Sequence, residues 1–233
     1  MSYDEAYFGR VGHDLRGELA TMLAGVHYLL RYETSLGGTA REMLERVNGA
    51  GQRLKRLLGE FDNSIWLDPD RKHELFIEPY QLDKLCASAI ERVAHAAVSR
   101  SVTPSCEVPA GLELRGMADA LVVALEYVLE LAILRSRGGR VLITGTMEGG
   151  VGAVTIIDEG GGVPEDRLAR LLEPFVEKEI IRRDDAASKR RERLGLGLAI
   201  ARGILQAHGG ELQVENMPDD TGLRYRCTLN GRA

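Results

Sequence analysis

Three classes of protein are made improbable by what this 233-residue sequence lacks. It has only three cysteines, Cys86, Cys106 and Cys227, and so few, scattered and odd in number, argue against a disulfide framework or a zinc site. Aromatic residues make up 5% of the chain, too few for a surface on which nucleic-acid bases stack. No apolar run approaches the ~20 residues that span a bilayer, and no signal peptide precedes the first predicted helix. We therefore expect a cytoplasmic protein that binds neither nucleic acid nor membrane.

Length and charge indicate an ordinary globular chain of one or two domains. The net charge of -5, with 28% charged residues, gives no bias toward nucleic acid. A polar segment, Asp68-Pro69-Asp70-Arg71-Lys72, is typical of a linker. We predict a domain boundary near residue 70, with one domain at 1–68 and a second at 72–233.

The first domain is predicted to be a helical hairpin. Apolar residues recur at helical spacing from about Asp4 to Tyr32, and again from Met43 to Phe61. Between the two runs a glycine turn is followed by Thr39-Ala40-Arg41-Glu42, which reads as a capping box. A single hairpin cannot enclose a wide apolar stripe, so we expect two copies to form a four-helix bundle in a homodimer.

The second domain is predicted to be an α/β sandwich, with helices on one face of a mixed sheet. Period-2 patterns and turn signals predict the strands, and longer apolar patterns predict the helices. The predicted strands are Glu74–Ile77, Thr103–Val108, Leu112–Arg115, Val141–Met147, Val151–Ile157, Glu211–Glu215 and Arg224–Leu229. The predicted helices are Leu82–Ser99, Asp119–Leu134 and one that begins near Gly197 and ends at about Gln206.

Two glycine-rich segments suggest an anion site in this domain. Asp158-Glu159-Gly160-Gly161-Gly162 follows a buried-type strand, and Gly195-Leu196-Gly197 opens a helix. Glycine lets backbone N–H groups approach an anion closely, and a helix presents its positive end at its first turn. Each segment alone is a weak signal, because glycine loops before helices are common. Their order along the chain, with a charged stretch between them, is more specific.

These motifs resemble those of the ATP-binding domain of sensor histidine kinases, a Bergerat-type nucleotide fold shared with gyrase, MutL and the large heat-shock ATPases. Asp158–Gly162 resembles the G1 box, Gly195–Gly197 the G2 box, and Leu172-Glu173-Pro174-Phe175 the F box. The resemblance implies that ATP binds, that Asp158 recognises the adenine amino group, and that the glycines of both boxes line the site. It makes Asp158, Gly160, Gly162, Gly195 and Gly197 the candidate ATP-binding residues.

His13 lies in Gly12-His13-Asp14-Leu15-Arg16, on the first predicted helix. A histidine beside an aspartate on a helix is usually a solvated pair. Here the segment resembles the H box of histidine kinases, which implies that His13 accepts the phosphoryl group. Asp14 would then bond the other ring nitrogen and so raise the nucleophilicity of the free one.

The helix that contains Glu126 and Glu130 stands where the resembling kinases have their N box, and this motif departs from the family. The two glutamates lie one turn apart, so we expect both carboxylates to face one place. We take both as further candidate ATP-binding residues, with Glu130 as the candidate metal ligand. The alternative is a solvated acidic edge. At the second position the family has an asparagine that holds Mg²⁺; Glu130 offers a hard oxygen ligand but would repel the triphosphate. Ile133 replaces a lysine that often contacts phosphate in the family.

The stretch of about 165–194 resembles the ATP lid, and seven of the sixteen residues from Lys178 to Arg193 are basic. A solvated charged helix is an equally good interpretation of this composition. We take Lys178 as a candidate phosphate contact that would compensate for Ile133.

The resemblance as a whole implies a cytoplasmic histidine kinase of a two-component system. It would phosphorylate itself on His13 with ATP and Mg²⁺, and pass the phosphoryl group to an aspartate of a response-regulator receiver domain. The signal would come from a separate sensor protein or from a segment outside this sequence. The alternative is a phosphotransfer protein or pseudokinase with a degenerate ATP domain, which Glu130 and Ile133 would favour.

Overall fold

The computed structural model describes residues 3–68, 75–136, 138–180 and 194–230. Its contacts divide the chain into two compact units. Of the described residues, the first unit holds 3–65 and Leu194, and the second holds all others from Trp66 onward.

The first unit is a hairpin of two long helices, α1 (Tyr3–Tyr32) and α2 (Gly38–Asn63). The predicted capping box at 39–42 is wrong. Gly37 has extended backbone and is the residue that precedes α2, with no side chain capping the helix. Thr39 therefore lies inside the helix, where its hydroxyl cannot take the N-cap position.

Apolar contact between α1 and α2 covers only part of their apolar surface. Leu19 and Leu23 are buried, and Gly51 of α2 packs so closely on Leu23 that an added Cβ would lie 2.6 Å from its Cδ2. An ion pair at 2.5 Å joins Arg16, in the middle of α1, to Asp62, in the last turn of α2. Seven large apolar residues of the hairpin remain 39–62% exposed: Leu15, Met22, Leu29, Met43, Val47, Leu54 and Phe61.

The second unit contains a five-stranded mixed sheet and a separate two-stranded one. The strands in chain order are β1 (Glu78–Gln81), β2 (Thr103–Glu107), β3 (Glu113–Gly116), β4 (Arg140–Glu148), β5 (Val151–Ile157), β6 (Glu211–Asn216) and β7 (Leu223–Asn230). The large sheet has the order β2-β4-β5-β7-β6, in which only β2 and β4 are parallel. The small sheet pairs β1 with β3.

The helices of this unit are α3 (Leu82–Ser99), α4 (Ala118–Arg135), α5 (Glu165–Leu168), α6 (Glu177–Ile180) and α7 (Gly197–Ala207). The long helices α3, α4 and α7 form one layer, with α4 in the middle and in contact with β4 and β5. Leu125, Val128, Ile156 and Ile200 lie in the core between these layers. The predicted α/β sandwich is therefore confirmed.

One predicted strand lies in the wrong place. The strand predicted at 74–77 is found at 78–81, and Phe76 before it is 74% exposed. Pro79 disfavours a strand in sequence reasoning, because proline cannot donate a ladder hydrogen bond. Pro79 is accommodated here because, among the described residues, the sheet has only two strands, so β1 pairs with β3 on one side and has no strand on its other side.

A buried histidine, His208, follows the last residue of α7 and bonds to Met117, the residue before α4. Its Nδ1 donates to the carbonyl of Ile204 at 2.7 Å, and its Nε2 accepts from the Met117 N–H at 3.1 Å. A ring that donates at one nitrogen and accepts at the other is neutral. Burial lowers the pKa of His208, although the bond to Ile204 opposes this shift.

The lowered pKa of His208 predicts a loss of stability in mild acid. Because the unfolded chain binds a proton at this residue more readily than the folded one, the free energy of unfolding should fall as pH drops from about 6.5 through the folded pKa. Urea unfolding at a series of pH values measures this slope. His208→Gln should flatten it, whereas a variant at the exposed His95, His95→Gln, should retain it. Equal slopes in the three proteins would contradict the prediction.

Candidate functional site

The fold places Asp158 directly after the last residue of a central strand, where its N–H still donates to the Leu223 carbonyl at 3.0 Å. β5 lies between β4 and β7, and its last residue, Ile157, pairs with Arg224. Asp158 follows directly and is 1% exposed, with the glycine turn after it. A carboxylate is rarely buried to this extent without partners.

Both oxygens of Asp158 carry two hydrogen bonds from the protein. Oδ2 accepts from Arg135 Nε and from the Tyr225 hydroxyl, each at 2.8 Å. Oδ1 accepts from the N–H groups of Gly160 at 2.9 Å and Leu223 at 3.1 Å. An ionised carboxylate offers about four acceptor positions, so this one is saturated. An amino group that binds to Asp158 must therefore displace one of these donors.

Arg135 and Tyr225 are buried with Asp158 and were not predicted as site residues. Arg135 is the last residue of α4; its side chain is 3% exposed and also donates to the carbonyl of Gly161. Burial, with the nearby Asp158 charge, raises the pKa of Tyr225 well above its usual value, so Tyr225 keeps its proton and donates. Arg135 could have been noticed in the sequence as a basic residue in the last turn of an apolar helix. Nothing in the sequence, however, indicated that it pairs with Asp158.

The glycines of the Asp158 turn are required by close packing within the domain. An added Cβ on Gly160 would lie 2.5 Å from the Cβ of Arg135 and 2.9 Å from its carbonyl. Gly161 has a positive φ of 81°. The Gly162 N–H donates to the Asp220 carbonyl at 2.7 Å. The turn is thus held between the end of α4 and the segment before β7.

The second glycine segment lies beside Phe175. Gly195 has a φ of 85°, and its carbonyl accepts from the Phe175 N–H at 2.7 Å. Phe175 itself has a φ of 71°, which is uncommon for an aromatic residue and is found mainly where surrounding structure enforces it. Gly197 is the first residue of α7. The segments compared above with the F and G2 boxes are therefore in direct contact.

A second buried carboxylate, Glu177, stands at the beginning of α7. Its Oε2 accepts from the Leu198 N–H at 2.9 Å, and Glu177 is 1% exposed. A Cβ added to Gly197 would lie 3.1 Å from the same oxygen. After burial and the charge of Asp158, the charge of Glu177 also raises the pKa of Tyr225. Sequence reasoning missed Glu177 because it lies between the F-box segment, which ends at Phe175, and the basic stretch, which begins at Lys178.

Glu126 and Glu130 do not form a metal site by themselves. Glu126 accepts from Arg92 Nη1 of α3 at 3.1 Å, and both of these side chains are partly exposed. Ile133 is completely buried in the core. Within the described ranges, no three His, Cys, Asp or Glu side chains are grouped as metal ligands. A cation at Glu130 would therefore take its further ligands from a bound phosphate and from water.

Three other predicted site residues, His13, Asp14 and Lys178, lie on helices outside the Asp158 turn. His13 and Asp14 belong to α1 in the first unit; Asp14 is exposed, and the side chain of His13 is outside the described residues. Lys178 belongs to α6, and its side chain is also outside them. The basic residues predicted for the lid after 180 and before 194 fall in an undescribed range.

Residues 116–232 match the model of the histidine kinase-, DNA gyrase B-, and HSP90-like ATPase family. The chain belongs to this family. The match contains Asp158, both glycine segments and Phe175, and its known members include histidine kinases, as the motifs implied. The fold and the family together identify a transmitter core with an ATP-binding domain, as the resemblance predicted.

Individual relatives extend the similarity into the helical hairpin. The chain is 27% identical to the sensor protein DivL of Caulobacter vibrioides over 226 residues, covering 96% of this chain and 27% of DivL. It is 27% identical to the sensor histidine kinase CpxA of Escherichia coli over 220 residues, covering 94% of this chain and 45% of CpxA. The crystal structure of full-length ShkA in complex with AMPPNP shares its fold, with a TM-score of 0.70 and 22% identity over 96% of this chain and 45% of ShkA.

The chain spans from 27% to 45% of the length of these proteins. None of the helices described for this chain is long and apolar enough to cross a membrane.

Proposed function

We propose that this chain is a histidine protein kinase of a two-component system. It binds ATP in the second unit, transfers the γ-phosphoryl group to His13, and passes it to an aspartate of a response regulator. The observation that carries the proposal is the family-matched domain, in which Phe175 of the F-box segment is bonded to Gly195 of the second glycine segment. This domain follows a helical hairpin that bears His13-Asp14. The comparisons do not favour the alternative, a phosphotransfer protein with a degenerate ATP domain.

In this proposal the chain's own residues act mainly by position and charge, as is usual in phosphoryl transfer. Asp14 orients the His13 ring, whose free nitrogen attacks the γ-phosphorus. The bond from this phosphorus to the oxygen that bridges it to the β-phosphate breaks, and ADP leaves. Asp158 and the glycine segments bind the nucleotide, and Lys178 contacts phosphate. Mg²⁺ in nucleotide sites is commonly bound by one or two carboxylates, with phosphates and water as its other ligands. Glu130 would supply one such carboxylate. When bound, Mg²⁺ neutralises charge on the phosphates.

The proposal predicts that His13→Ala abolishes phosphorylation. Purified protein incubated with γ-³²P-ATP and Mg²⁺ should gain an acid-labile, base-stable label, which His13→Ala should lack entirely. His27→Ala, on the same helix, is the matched control and should label as the wild type does. Label that survives in His13→Ala would overturn the assignment of His13. ATP binding without any label in the wild type would overturn the kinase itself.

We also infer that the chain is a homodimer in the cytoplasm, with a separate protein or an additional segment as its sensor. The support for dimerisation is the seven exposed apolar residues on α1 and α2.

A homodimer predicts that light scattering gives twice the 25.6 kDa mass of the chain. Leu54→Glu should shift the protein toward monomer, because it places a charge in the apolar stripe. Lys55→Glu, about 100° further around α2, should remain dimeric. A monomeric wild type would contradict this inference.

A further inference from the structure

Glu177, the first residue of α6, accepts a hydrogen bond from the first turn of α7. In the proposed function, a nucleotide phosphate would bind to the same N–H group. The first turn of a helix leaves N–H groups without helical partners and carries the positive end of the helix dipole, so it attracts anions. α7 has eleven residues and begins at Gly197, one of the residues that the proposed function assigns to ATP binding. Its Leu198 N–H already donates to Glu177 Oε2 at 2.9 Å.

Glu177 is well suited to hold this position. It is 1% exposed, its oxygen lies where Gly197 leaves room, and its segment follows Phe175, which is bonded to Gly195. A phosphate oxygen that approached the Leu198 N–H would meet the Glu177 carboxylate, another negative charge, in a region of low dielectric. Like charges so close repel more strongly there than in water.

We propose that Glu177 determines nucleotide affinity by competing with the phosphates of ATP for the beginning of α7. Phosphate binds when the Glu177 carboxylate gives up the Leu198 N–H, and the cost of this exchange weakens the binding of phosphorylated ligands. The proposal rests on the proposed function in that it takes ATP as the ligand. Glu177 would thus lower the affinity for the phosphate groups of the ligand without changing the affinity for its adenosine part.

The test compares three ligands, adenosine, ADP and ATP, with and without Mg²⁺, by isothermal titration calorimetry on the full chain. Glu177→Gln removes the charge but keeps an oxygen that can accept from Leu198. Glu177→Ala removes both and leaves the N–H to the ligand. We expect ATP and ADP to bind about tenfold more tightly to Glu177→Gln, more tightly still to Glu177→Ala, and adenosine to bind all three proteins equally.

Glu148→Gln is the matched control for net charge. Glu148 is exposed and pairs with Val151, at the end of the β4–β5 hairpin opposite to Asp158. Its replacement removes the same charge outside the segments of the proposed ATP site, so ATP affinity should stay at the wild-type value. Urea unfolding of each variant establishes that the proteins compared are folded, and the two Glu177 substitutions give independent chances of a folded variant.

The outcomes separate this inference from the proposed function. If the wild type binds ATP and neither Glu177 variant binds it more tightly, the competition is wrong and ATP binding stands. If adenosine gains as much as ATP, Glu177 restricts the whole pocket and the competition is again wrong. If the variants lose affinity only with Mg²⁺, Glu177 acts as a metal ligand instead. If none of the proteins binds any of the three ligands, the proposed ATP-binding function fails, and this inference with it.

Discussion

Asp158→Asn is expected to lower the free energy of unfolding by about 3–5 kcal/mol, the usual cost of removing one partner from a buried ion pair. The side chain of Arg135 is 3% exposed, and Asp158 provides its charged partner at 2.8 Å. With asparagine in this position, the guanidinium would remain buried with its charge uncompensated. Urea denaturation followed by circular dichroism measures the loss.

An exposed ion pair on the same sheet provides the control. Glu215 accepts from Arg224 at 2.7 Å, and their side chains are 60% and 38% exposed. Glu215→Gln should cost less than about 1 kcal/mol, because water screens and replaces such pairs. The double variant Asp158→Asn/Arg135→Met should lose less stability than the sum of the two single variants, by about 0.5–3 kcal/mol. Strict additivity would show that the two side chains do not interact.

The saturation of Asp158 changes how its variants must be interpreted. In the resembling kinases this aspartate recognises adenine, so lost nucleotide binding in Asp158→Asn would ordinarily be assigned to a lost ligand contact. Here the same carboxylate joins the end of α4 to the beginning of β7 through Arg135 and Leu223. A loss of binding therefore has two physical causes, and only a variant whose fold has been measured separates them.

The fold was predictable because its elements carry strong local patterns. β5 matches its predicted bounds, Val151–Ile157, and α3 matches Leu82–Ser99, since a buried strand and an amphipathic helix are each decided by side chains close in sequence. The failures lie where backbone or pairing decides. Gly37 begins α2 without a side-chain cap, and Pro79 is tolerated because β1 pairs only with β3.

The site was predictable in part, for a related reason. Asp158 and the glycines are recognisable because a motif is a local pattern. Their partners are distant in sequence: Arg135 lies 23 residues before Asp158 and Tyr225 lies 67 after it. Glu177 bonds Leu198 across 21 residues. Whether an arginine or a glutamate reaches a motif depends on how helices and strands pack, and no periodicity in the sequence records that.

Gly203→Ala is expected to destabilise the protein by about 1–3 kcal/mol, against the usual preference of helices for alanine. A Cβ at this position of α7 would lie 1.9 Å from the carbonyl oxygen of Trp66 and 2.8 Å from its carbonyl carbon. Backbone atoms cannot rotate away as a flexible side chain can, so either α7 or the Trp66 segment must move. Urea unfolding gives the size of the effect.

The fluorescence of Trp66 would show whether α7 or the Trp66 segment moves, because Trp66 is the only tryptophan in the chain and is 9% exposed. If its segment leaves α7, its emission in Gly203→Ala should shift to the red and acrylamide should quench it more strongly. Gly25→Ala is the matched control: Gly25 lies within α1, and an added Cβ would meet nothing within 4 Å. It should gain about 0.5–1 kcal/mol from helix propensity and leave the emission unchanged. Opposite signs at two helical glycines would identify close packing on Trp66, and not propensity, as the reason for glycine at 203; equal signs would refute it.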